Sequence, residues 1–258
     1  MDNLTGRSRK RILGRVAQYI FCDIYLGRIQ IWSLSGHSSF RHTSPMQRSY
    51  AHRVRACLDL KDREIFRSLS SPSRVQDFLD SLPINFELAG ETSYSPVDVL
   101  RHRTAHCFEG AVFAAAALAF HGHIPLLMDF ATRYDDEDHT VTLFRRRGLW
   151  GALSKTNHPI LRYRDPIYRT PRELAMSYVH EYFMHDGRKS LVAYSQPYDL
   201  GKFDPEEWVS STGSLDWLMR RLAKSRYLGI APDAALKSLR RVSDAEIRVL
   251  DIEEWPRS

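Results

Sequence analysis

Cys107 lies in Thr104-Ala-His-Cys-Phe-Glu-Gly110, at the opening of the longest apolar helix this chain can build, Ala105 to His121. Thr104 is read as its N-cap and Gly122 as the residue just past its end. Cys107 then falls in the first turn, where unpaired backbone N–H groups and the helix dipole favour a thiolate. An isolated cysteine is more simply a buried structural residue. A nucleophile needs a base, and His139 is placed to be one. It stands 32 residues downstream, at the head of the alternating run His139-Thr-Val-Thr-Leu-Phe144, which predicts a strand with His139, Val141 and Leu143 on one face. Arg145-Arg-Arg-Gly148 predicts a turn and Leu149 to Leu153 a returning strand. With Arg146-Arg147 as a two-residue turn, or Arg145 to Gly148 as a four-residue loop, His139 opposes Ser154. Opposed Cβ atoms lie about 4.5–5.5 Å apart. A three-residue loop would put Lys155 there instead.

Other elements must hold these residues. The helix that begins near Cys107 is apolar all round (Phe108, Val112, Phe113, Leu118 and Phe120 among alanines), so it should be buried. Gly110 is read as a close-packing position where a side chain would collide with a neighbouring strand. Ser73-Arg-Val-Gln76 reads as a capping box, and Ser95-Pro-Val-Asp98 as a cap with proline at the first helical position. Ile124 to Phe130 predicts a strand and Asp135 to Asp138 an acidic loop. Thr170-Pro-Arg-Glu173 should start a helix running to about Phe183. The last third reads as mostly helical: Leu215 to Ser225, Asp233 to Arg241, and a final helix from Ser243 to Trp255. Ser33 to Ser49 reads as a linker.

The string Cys107, Gly122 to Pro125, His139 and Trp150 resembles the core of the transglutaminase-like superfamily of papain-like cysteine enzymes. That core has a cysteine opening a buried helix, a Gly-x-Pro strand, a histidine opening a strand, and a tryptophan on the next strand just before an acid. The resemblance covers about residues 95–160. It implies an α+β fold, with the Cys helix packed on an antiparallel sheet and additional helices at the C-terminus. It also implies a Cys nucleophile, a His base and an Asp that orients the His. By position these are Cys107, His139 and Ser154, and Ser154 is the departure. A serine hydroxyl can accept from an imidazole N–H but cannot stabilise imidazolium as a carboxylate does. Asn157 is a candidate for the orienting role, as are Asp165 and the acids at 135–138. The implied chemistry is acyl transfer from a peptide or other amide through a Cys107 thioester. His139 would take the thiol proton and later protonate the leaving group. The Cys107 N–H and a side chain such as His102 or His106 would serve the oxyanion; His106 otherwise reads as a cap-region or surface histidine. Trp150 would wall the cleft or fill the core.

Length and composition bound the alternatives. The 258 residues suffice for a sizeable core. They divide into a basic arm and linker (1–50), a transglutaminase-like core (51–200) and a C-terminal helical extension (201–258). Three cysteines without CxxC spacing argue against a disulfide framework or a thiolate zinc site, and for a reducing, cytoplasmic setting. His121 and His123 lack a nearby third ligand, and the 135–138 acids lack EF-hand spacing, so no metal or cofactor is expected. The net charge of +6 belongs to residues 1–48, which hold eight basic and two acidic residues; the remainder is balanced. That makes nucleic acid an unlikely partner for the body of the protein, and polyanion binding through the arm a rival function. No apolar run is long enough to span a bilayer. A further rival is a binding module that keeps the fold without the chemistry.

Overall fold

A computed structural model describes residues 44–252 apart from 89 and 135. The basic arm, Cys22 and Trp255 lie outside the described residues. The fold is α+β: helices and an antiparallel sheet. Five helices come first, α1 (Pro45–Ala56), α2 (Leu60–Ser68), α3 (Pro72–Ser81), α4 (Pro96–His102) and α5 (Cys107–Phe120). The strands β1 (Leu126–Ala131), β2 (His139–Arg146), β3 (Leu149–Leu153) and β4 (Arg164–Tyr168) follow, then α6 (Pro171–Met176) and the short strands β5 (Ala193–Ser195) and β6 (Tyr198–Asp199). The chain ends with α7 (Pro205–Trp208), α8 (Asp216–Ala223), β7 (Tyr227–Gly229), α9 (Asp233–Lys237) and α10 (Asp244–Ile247).

The sheet runs β4-β3-β2-β1-β5-β7, with β6 also paired to β1, and every pairing is antiparallel. Alternation along β1 and β2 sends side chains to two cores. Leu127 meets the α5 side, where Val112, Phe113 and Leu118 pack with residues of α1 to α4. Met128, Phe130, Val141 and Leu143 meet the opposite face with Leu174, Tyr178 and Tyr182. Both faces are covered, so Thr140 and Thr142 are buried as well as Val141 and Leu143. The Thr142 hydroxyl is satisfied by the Ala111 carbonyl, which ties β2 to α5.

α5 is buried along nearly its whole length, as its composition predicts. Its end is a Schellman motif: Gly122 holds φ +87°, its N–H donates to Ala119 O at 2.9 Å, and His123 N–H donates to Leu118 O at 3.0 Å. Its start differs from expectation. The N-cap is His106, not Thr104. Thr104 donates its hydroxyl to Pro83 O, and Ala105 forms a parallel bridge with Ile84, so the chain stays extended until His106. A Cβ on Gly110 would stand 2.5 Å from the Cβ of Lys155, the collision anticipated from the sequence. Gly110→Ala is expected to destabilise the protein by about 1–3 kcal/mol through overpacking, measurable as a lower midpoint in urea.

Other corrections have local causes. α3 is capped by Ser71 with Pro72 at its first position, not by Ser73, which leaves Gln76 free for another task. Ser95 and Thr170 cap as predicted, but α6 stops at Met176 rather than Phe183. The segment 201–258 supplies β7 to the sheet besides its helices. The β2–β3 turn is Arg147-Gly148, both at positive φ (+52° and +84°), the requirement of a type I′ hairpin. Arg146 therefore pairs with Leu149 and Thr142 with Leu153, two residues away from the expected register.

Candidate active site

Cys107, partly exposed at the first position of α5, lies within electrostatic reach of both His106 and His139. Burial raises the thiol pKa, but these two imidazoles outweigh it and hold Cys107 down at about 5. The helix N-terminus acts in the same direction.

His139 is buried at the head of β2, and its Nε2 lies 2.7 Å from Ser154 Oγ. The expected register is wrong, yet the predicted contact forms. β3 ends at Leu153, so Ser154 is not held by the ladder. Gln76 of α3 holds it instead: the Ser154 N–H donates to Gln76 Oε1 at 3.0 Å, and Gln76 Nε2 donates to Ser154 O at 2.7 Å. A buried amide side chain thus takes the place of a strand partner.

The hydroxyl of Ser154 has one proton, and it donates that proton to Leu161 O at 2.5 Å. Toward His139 it can only accept, so Nε2 carries the ring proton and Nδ1 is left with a lone pair for the thiol. Leu161 holds a left-handed backbone, φ +59°, unusual for a branched residue. Its N–H donates to Glu181 at 2.8 Å, and Glu181 is paired with Arg164 at 2.5 Å. The strained residue is therefore held from both sides with its carbonyl on Ser154.

Asp135 lies outside the described residues, and the other candidates stand elsewhere. Asn157 is half-buried and makes no hydrogen bond to His139. Asp165 is exposed on β4. Asp136 and Asp138 organise their loop, accepting from Ser190 and from Thr132 respectively. Lys155 points beneath α5 to Leu82 O. Trp150 lies under the Arg145 guanidinium and pairs with Tyr168, four residues along the chain from Ser154, about 13 Å at strand rise. His102 stacks on Tyr94, their ring centroids 4.5 Å apart.

Sequence reasoning gave His106 too small a role. Its Nδ1 accepts from Phe108 N–H at 3.3 Å, and its Nε2 lies 3.0 Å from Thr92 O. Beneath it is Glu109, wholly buried, whose carboxyl accepts from His106 N–H (3.0 Å), Tyr94 N–H (2.9 Å), the Thr92 hydroxyl (2.8 Å) and the Asn85 amide (3.1 Å). The signal was present: a residue followed three positions later by glutamate is a capping-box spacing. Burial lowers the His106 pKa, but the bond to Cys107 and the charge of Glu109 raise it to about 9.

Among the described residues no group of three or more His, Cys, Asp or Glu is arranged to hold a metal ion, and no helix is long and apolar enough to cross a membrane. No family model matches the chain, and no curated protein matches it.

Proposed function

We propose that the protein is a cysteine hydrolase or acyltransferase of the transglutaminase-like kind, acting on a peptide or other amide through a Cys107 thioester. The observation that carries this reading is the contact of the Cys107 thiol with His139, an imidazole whose tautomer Ser154 fixes. The sulfur is held as a thiolate at neutral pH, the nucleophilic form. The Cys107 N–H, a first-turn donor with no acceptor inside the helix, is the donor we assign to the acyl oxyanion. His139 Nδ1 is an acceptor, suited to taking a proton from the water that resolves the thioester. The serine supplies orientation without charge.

The test uses p-nitrophenyl acetate, an activated ester that demands little of substrate recognition. Rapid release of one equivalent of nitrophenolate, with an acetyl group located on Cys107 by mass spectrometry, is the expected result. Acetylation spread over surface lysines with none on Cys107 would refute the reading and favour a binding module that keeps the fold.

A further inference from the structure

Two imidazoles act on the Cys107 sulfur, and among the described residues a carboxylate stands beside His106 alone, not beside the histidine that the resemblance to known cysteine enzymes singles out. His139 is backed by a neutral hydroxyl. His106 is backed by Glu109, with Nε2 to Oε1 at 3.5 Å, and by Glu87 at 3.8 Å. We propose that the two histidines divide the proton chemistry of Cys107: His106 is the acid that holds the thiol's proton and delivers it to the leaving group, and His139 is the base of the hydrolytic step. This deepens the proposed thioester reaction and rests on it.

The hydrogen bonds allow His106 to be protonated at little cost. Its Nε2–H donates to Thr92 O at 3.0 Å in either protonation state. Its Nδ1 accepts from Phe108 N–H at 3.3 Å, beyond the usual 2.7–3.2 Å for such bonds, so the capping contact given up when Nδ1 takes a proton is a weak one. The groups facing His106 are Glu87 from the loop after α3, Glu109 from α5, and Cys107 itself. Cys107 faces the two histidines, with Asp129 and Tyr182 acting on it at longer range. His106 is thus an imidazolium below about pH 9 and Cys107 a thiolate above about pH 5, so the ion pair spans the pH range between them. Environments that push two titrating groups apart are the usual mark of assigned acid and base roles.

The steps balance. The Cys107 thiolate attacks the acyl carbon, the S–C bond forms, and the C–N bond breaks as the leaving amine takes the proton from His106 Nδ1. Water then attacks the thioester and gives one proton to His139 Nδ1. The C–S bond breaks, the carboxylic acid departs, and the thiolate is restored. The proton on His139 then returns to His106, which restores the starting state.

His106→Asn separates the roles, because asparagine is itself a good N-cap and keeps the start of α5. Iodoacetamide labelling of Cys107 against pH should show a midpoint about 1–3 pH units higher in His106→Asn than in the wild type, the effect of removing an adjacent opposite charge. His139→Asn should move that midpoint less. The p-nitrophenyl acetate burst of His106→Asn should be slow at pH 7 and recover toward the wild-type rate at pH 9, a rescue that a merely structural role would not give. A His106→Asn midpoint equal to the wild type's, or a larger shift in His139→Asn, overturns the division of roles. Either result would leave the thioester reading standing if Cys107 is still acetylated; loss of acetylation in the wild type would instead defeat the thioester reading.

Discussion

His139→Asn is expected to accept the acetyl group from p-nitrophenyl acetate and then fail to release it. Nitrophenolate leaves without needing a proton, and the thiolate retains His106 as its counter-ion, so the first step survives. Deacylation loses its base, which is worth about 10²–10⁴-fold in rate. Acetylated Cys107 should accumulate and be visible as intact-protein mass, with steady-state turnover reduced by that factor. The imidazole also uses Ser154 to fix its tautomer, and asparagine is too short to take over either task. If the variant turns over as fast as the wild type, His139 is not the base.

Glu109→Ala should be the most destabilising single change near the site. Four donors from two segments converge on a side chain with no solvent exposure: Asn85, Thr92 and Tyr94 from the loop between α3 and α4, and His106 from the start of α5. Removing the acceptor leaves them unpaired in the interior, where each orphaned donor costs about 1–3 kcal/mol before relaxation. A net loss of about 3–5 kcal/mol is expected, the size seen when one member of a buried polar pair is deleted. For a domain of this size that lowers Tm by on the order of 10 °C. Glu109→Gln, which offers a single acceptor oxygen, should fall between. A change below about 1 kcal/mol would mean that water replaces the carboxyl without loss, contrary to the wholly buried site.

Much of this arrangement was legible in the chain, for reasons that differ by residue. The start of α5 was readable to within a turn because its apolar run begins abruptly after polar residues. Its exact cap was not, because Thr104 satisfies a distant carbonyl, that of Pro83, while His106 does the capping. The β2–β3 register lies two residues from the one the three arginines suggest because Gly148 fixes a type I′ turn at Arg147-Gly148. The His139–Ser154 contact emerged all the same, since Ser154 is placed by Gln76 from a helix 78 residues earlier, a long-range contact that no local pattern reveals. β5, β6 and β7 were missed for a similar reason: two or three residues long, they carry no alternation to read, and pairing with β1 and with one another defines them. The acid absent from position 154 drew attention to Asn157 and Asp165. The carboxylate that the structure does supply to the sulfur's surroundings is Glu109, two residues beyond the cysteine and acting through His106.

The central claim is that Cys107 is a thiolate at neutral pH because of the imidazoles beside it, His106 above all, and one titration decides it. The rate of iodoacetamide labelling at Cys107, resolved by mass spectrometry from labelling at Cys22 and Cys57, should rise through a midpoint near pH 5 and stay level to about pH 8. A midpoint at or above about pH 8, the range of an unassisted thiol, would contradict it.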